Sequence, residues 1–300
     1  MEDRESFFTT HTFKFRVEGQ QFFVPGGLIS RFSPPLDRLI NLDMREKKQR
    51  YAVLEDVTAA TFDRFLEWAC KGFYTPPGPF SVTILEDGEN GHMSKEANED
   101  TASKTSANAS YEKTSQNFYD NYGNFLGRIH NNGNNTSIEY SSGSVQGTAS
   151  HSRQDLRQSF YSRKPDIRGD TNTAPPRKNH EASENYTNIF LCHAQLYVFA
   201  DAQDIQPLKL LALDELHAVL AIFELHPERT GDIVELLRYV YANTASPSEG
   251  EEPLKKVVAD YVGFEMDVLM NDEDFSALMI ADGGDMLRDY MSSVSKRIKA

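Results

Sequence analysis

The sequence predicts an α+β fold: a small β-sheet packed by helices, interrupted by a long disordered insertion and followed by a C-terminal helical extension. Three observations predict it. Residues 12–80 mix strand and helix signals, and residues 81–188 are nearly empty of core formers. The stretch "FLCHAQLYVFADAQDI" at 190–205 is apolar on all sides in its first half, as in a helix wrapped by protein.

The elements follow in order. "TFKFRV" and "QFFV" are strand-like, with Glu18-Gly19-Gln20 between them as a hairpin turn. "GGLISRFSPPLDRLINL" is helical but broken by Pro34-Pro35; Ser33 is placed to cap a helix in which Pro35 sits early, where its missing N–H does no harm. "YAVL" at 51–54 is a third strand. Phe62, Phe65, Leu66 and Ala69 then follow the i, i+3, i+4, i+7 spacing of one helix face, which Gly72 ends as a cap glycine. Trp68 lies off that stripe, either as an exposed interface anchor or as a second-layer core residue.

From 81 to 188 only 13 of 108 residues are Val, Ile, Leu, Met or Phe. Such a segment cannot bury enough apolar area to offset chain entropy of roughly 1–2 kcal/mol per residue. With 11 Lys/Arg and 14 Asp/Glu it is polar and nearly neutral. Structure signals resume at Ile189. One stripe holds Leu213, Leu216, Leu220 and Phe223, and the next Ile233, Leu236, Leu237, Val240 and Tyr241, with Asp232 and Glu235 at capping-box spacing. Leu254, Val257, Val258 and Tyr261 form a third stripe, and Leu287, Met291, Val294 and Ile298 a fourth. The strands of 12–80 have nothing to cover them, and the helix at 190 has no sheet. Neither is stable in water alone. One domain cut by a surface loop satisfies both, because closure entropy grows only logarithmically with loop length.

Composition narrows the function classes. A net charge of −14 and a pI near 5.0 argue against nucleic acid, which calls for a basic patch. Two cysteines build no disulfide framework, "MEDRESFF" lacks a signal-peptide core, and no apolar run reaches membrane-spanning length. The expectation is an intracellular protein of the cytoplasm, the nucleus or both. Without a secretory signal, "RGD" at 168–170 and the sequons at Asn108, Asn134, Asn135 and Asn185 read as bystanders. "SRK" at 162–164 with "PPRK" at 175–178 could form a split nuclear signal.

"QFFVPGGLISRFSPPLDRLI", "LEDVTAATFDRFLEWACKGFY" and "HAQLYVFADAQDIQPLKLLALDEL", in this order, resemble the BTB/POZ domain, specifically that of filamentous-fungal BTB proteins. The resemblance implies a first half at 12–80, an insertion at 81–188, closing helices at 189–225 and a C-terminal extension at 226–300. "ERTGDIVELLRYVYANT" also looks like the tail of this fungal group. Pro25 stands where the family usually has His, and Thr12 where it often has Asp; those side chains typically support one another, so losing both leaves neither orphaned. The short arm before the first strand implies a weak homodimer or none.

No chemistry-bearing constellation stands out. Cys192 and His193 are adjacent, but neighbours on a helix diverge by about 100°, so they do not share a face. Cys70, Cys192 and eight scattered histidines give no zinc spacing, and no phosphate loop, dinucleotide fingerprint or nucleophile elbow occurs. "NDEDF" at 271–275 lacks calcium-loop spacing and reads as a helix cap. The expectation is a protein without enzymatic activity, cofactor or metal. In "DMREKKQR", Met44-Arg45-Glu46 fits the hydrophobic–x–Glu pattern that BTB proteins binding a cullin scaffold often carry; a solvated charged loop is the alternative. The resemblance therefore implies a protein-interaction module, either a substrate adaptor of a cullin-based ubiquitin ligase or an oligomerisation scaffold associated with transcription and without cullin binding.

Overall fold

The structure, a computed structural model, describes residues 11–42, 48, 50–81, 148–163, 175–244, 252–281 and 284–298. Strands β1 (Thr12–Val17) and β2 (Gln20–Pro25) pair antiparallel, with Phe15 opposite Phe22. Their turn is two residues, Glu18 and Gly19, at φ 50° and 83°. Positive φ at both matches the twist of the flanking strands, and glycine adopts it without steric cost. β3 (Tyr51–Leu54) lies parallel to β1, so the sheet order is β2-β1-β3. Strand alternation sends Phe13, Phe15, Val17, Phe22, Val24 and Ala52 inward. Thr12 and Pro25 are register partners at the open end of the hairpin; Thr12 is exposed, so no buried polar group is stranded there.

Two short helices, α1 (Gly26–Ser30) and α2 (Pro34–Asn41), follow β2. Ser33 caps α2 as expected: its Oγ accepts the Leu36 N–H at 3.1 Å and donates to the Gln203 carbonyl at 2.7 Å. α3 (Ala59–Lys71) starts at a Thr58 cap and ends at left-handed Gly72, whose N–H reaches the Trp68 carbonyl. Phe62, Phe65 and Ala69 are buried on its inner face. Trp68 is buried too, its ring 4.8 Å from Phe32 and stacked on Phe65 at 6.4 Å. The core reading of Trp68 holds and the anchor reading does not.

The all-apolar helix is α5 (Thr187–Ala202), and its core is the one left uncovered by 12–80. Phe199 packs on Phe65 at 5.1 Å and edge-on to Phe62 at 6.3 Å. Polar bonds tie the same two halves: Thr61 Oγ1 donates to Gln195 Oε1 at 3.2 Å, and the Tyr74 hydroxyl lies 2.6 Å from His193 Nδ1. α6 (Gln206–Ile222) and α7 (Thr230–Asn243) pack on the remaining faces of α5. α8 (Pro253–Leu269), α9 (Glu273–Ala281) and α10 (Asp285–Ile298) complete the helical side. One buried apolar cluster runs from Phe13 through Phe199 to Val294, so the sheet, the closing helices and the C-terminal helices share a core.

Residues 82–147 and 164–174 of the interval read as an insertion lie outside the described residues, and with them "RGD" and three of the four sequons. The interval's ends meet: β4 (Phe80–Ser81) pairs with β5 (Glu184–Asn185), Phe80 opposite Asn185. The expectation that the whole interval stays out of the core is corrected at three places. Helix α4 (Thr148–Tyr161) buries Phe160 against His217 at 4.5 Å and Phe264 at 5.2 Å. Asn179 is buried and pairs its amide with the Glu224 backbone, donating and accepting at 2.7 Å. The Tyr186 ring packs at a tilt against Phe223, 5.2 Å between centroids. Average composition hid these because a few well-placed side chains anchor a polar segment.

Two helix readings also change. Asp232 caps no box on its own helix. Its carboxylate accepts the Tyr186 N–H at 2.8 Å and the Thr187 hydroxyl at 3.1 Å, satisfying the start of α5, while Glu235 pairs with Arg238. Met286, Tyr290, Ser293 and Val294 are buried on α10; of the predicted stripe Val294 is buried as expected, whereas Leu287 and Met291 are exposed. Two contacts of Ser293 favour this register: a Cβ at Gly263 would stand 3.1 Å from its Cβ, and its hydroxyl donates to Asp260 Oδ1 at 3.0 Å. A small residue must face Gly263.

Candidate functional site

A groove of about 540 Å³ opens between the free edge of β3 and helices α5 and α7. Its floor is apolar, from Val57, Val198, Phe199 and Tyr239. One wall is Val53 to Asp56 with Thr58, and the other carries Gln195, Gln203 and Asn243.

Local sequence chemistry builds each part. β3 ends where "EDVT" turns into α3, and Thr58 caps that helix by accepting the Thr61 N–H at 3.1 Å. Glu18 at the hairpin turn accepts the Ala59 N–H at 3.0 Å, pinning the sheet's end to the same corner. The Thr58 and Thr61 hydroxyls are 2.8 Å apart, and Thr61 continues to Gln195, so these hydroxyls are committed to one another. Asn243 donates to the Tyr239 carbonyl at 2.8 Å. Burial pushes the Tyr239 phenol up to about 12, so it stays neutral and protonated near pH 7. Glu55 and Asp56 are exposed at the rim, and among the described residues no Lys or Arg lines the groove. The arrangement offers an apolar floor, neutral hydrogen-bonding groups and a negative rim. It is chemistry for binding.

Met44 and Glu46 lie outside the described residues, in the connection between α2 and β3. Cys192 and His193 are both buried, and neither meets the other as a nucleophile and base would. Burial raises the Cys192 thiol to about 12, and burial together with the Arg64 charge lowers His193 to about 3. The thiol stays protonated and the imidazole neutral, with Nδ1 held at the Tyr74 hydroxyl. Among the described residues no group of three or more His, Cys, Asp or Glu could hold a metal ion. Asp272 of "NDEDF" caps α9 by accepting the Phe275 N–H at 2.7 Å, and it also accepts from the Thr230 hydroxyl at 2.6 Å. Of the basic tract 175–178, Arg177 pairs with Glu184 and Lys178 with Glu224. Asn185, in the one described sequon, accepts the Thr187 N–H at 2.9 Å.

Sequence reasoning missed the groove, because three segments far apart in the chain converge on it. The single local signal was the brevity of β3, whose outer edge no later described strand covers. No described helix is long and apolar enough to cross a membrane. No protein-family model matches the chain, and no curated protein matches it.

Proposed function

We propose that the chain is a non-catalytic protein–protein interaction module of the fungal BTB/POZ type, acting as a substrate adaptor of a cullin-based ubiquitin ligase. The observation that carries the reading is apolar side chains left in solvent on two separate parts of the molecule. Phe23 is 66% exposed and Val53 48% exposed on the outer face of the sheet, while Ile280 is 82% and Met291 54% exposed on the last two helices. Large apolar residues left in solvent offer contact area to protein partners, and an adaptor needs two such surfaces. The buried, neutral Cys192 and His193 support a role without catalysis.

In this reading the α2–β3 connection meets the cullin. Met44 supplies a flexible apolar knob and Glu46 accepts hydrogen bonds, where truncating one desolvated partner typically costs about 2–5 kcal/mol. Co-purification with the cullin of the native cell tests it. Met44→Ala combined with Glu46→Ala should abolish capture at unchanged helical content, while Lys47→Ala and Lys48→Ala should matter little. No capture of the wild type ends the adaptor reading and leaves the oligomerisation scaffold. Equal capture of the double mutant moves the contact elsewhere.

A further inference from the structure

We infer that the free edge of β3 and its groove take an extended segment of another protein, alternating apolar and basic residues, as an added β-strand. The inference rests on the interaction-module reading and names a second class of partner for it. Three observations carry it.

The first is the edge. β3 pairs with β1 alone among the described strands, and the Arg50 carbonyl accepts the Lys14 N–H at 3.0 Å. In a parallel ladder alternate residues face the neighbour, so Ala52 and Leu54 also turn toward β1. Tyr51 and Val53 then direct their N–H and C=O groups away from the sheet, as a template for one more strand. The second is the floor. Val57, Val198, Phe199 and Tyr239 lie beside this edge, where every second side chain of an added strand would fall. The third is charge. Glu55 and Asp56 stand where the edge ends and no cation lines the groove among the described residues, so the remaining side chains of the segment should be basic. A net charge of −14 on each copy disfavours a second copy of this chain as the occupant.

The probe is a short acetylated peptide of alternating valine and lysine, titrated against the ¹⁵N-labelled full chain and followed by amide shifts and fluorescence anisotropy. Its two controls are the valine–glutamate analogue and a version N-methylated at alternate backbone nitrogens. N-methylation keeps charge and apolar surface but removes strand donors. The amides of Tyr51, Val53, Glu55 and Asp56 should shift, and N-methylation should weaken binding by about tenfold or more, as expected when two hydrogen bonds are lost. The glutamate analogue should not bind. Val53→Pro removes only an outward N–H, at an edge position that tolerates proline, and should weaken binding comparably; Glu55→Lys with Asp56→Lys should do the same. Equal affinity for the N-methylated peptide on the wild-type chain overturns the inference, whether or not the proline variant folds, because binding would then follow net charge alone. Shifts confined to other surfaces, or concentration-dependent self-pairing through these amides, also overturn it. Cullin capture without peptide binding ends this inference alone, and peptide binding without cullin capture ends the adaptor reading alone.

Discussion

His193 and His217 each place an imidazole where water cannot reach it. His193 sits against Tyr74, and His217 faces the Phe160 carbonyl at 2.8 Å. Burial lowers His193 to about 3 and His217 to about 4, the Phe160 hydrogen bond on His217 working weakly the other way. Unfolded histidine titrates near 6.5. Both folded values lie below that, so below about pH 6.5 the unfolded chain takes up protons that the folded chain refuses. The stability is present above that pH and drains as pH falls toward 4. Asp232 has the opposite sign, its carboxyl raised by burial, but it acts lower, in the carboxylate range. Between pH 7 and 5.5 the histidines therefore dominate, and urea unfolding should show a loss of roughly 1 kcal/mol from each. A stability that stays flat across that interval would mean one or both rings find solvent in the folded state.

At the scale of elements, the parts that local chemistry dictates were legible and the parts that tertiary contact dictates were not. The hairpin, the Ser33 cap, the Gly72 stop and the inner face of α3 follow from residue types at short spacing, and each stands where expected. α10 shows the limit: Tyr290 and Ser293 rather than Leu287 and Met291 face inward because of groups on other helices, Gly263 and Asp260 against Ser293 and Phe275 against Tyr290. The groove was illegible for the same reason, since Val53, Val198 and Tyr239 belong to separate segments. α4 is the sharpest case. Its mean composition is polar, yet Phe160 is 6% exposed among His217, Tyr261 and Phe264. Truncating a fully buried Phe to Ala typically costs about 3–5 kcal/mol, which can exceed what holds one docked helix. Phe160→Ala should therefore release α4 while the rest stays folded. Limited proteolysis should cut within 148–163 much faster in the variant at an unchanged far-UV spectrum elsewhere; identical cleavage would show that α4 is held by other contacts.

Across the whole molecule the two halves of one core are joined through an interval whose composition is too polar to build a core of its own. The β4–β5 pairing clamps the interval at its base, and α4, Asn179 and Tyr186 anchor its far side. Two excisions separate these roles. Replacing 82–147 with a Gly/Ser linker leaves every anchor in place. Because each doubling of loop length changes closure entropy by only about 0.6 kcal/mol, the midpoint of urea unfolding should barely move and the transition should stay cooperative. Replacing 82–186 instead removes Phe160, Asn179 and Tyr186. It exposes the groups they cover: the His217 ring, the Glu224 backbone pair and the Phe223 face. Each lost buried side chain or paired backbone group costs on the order of 1–3 kcal/mol, and together they approach the whole stability of an ordinary domain, about 5–15 kcal/mol. The longer excision should thus give a molten or insoluble product. If both excisions unfold alike and cooperatively at the wild-type midpoint, the anchors contribute nothing and the core closes without them. If the shorter one already destroys cooperativity, residues within 82–147 supply core that their composition conceals.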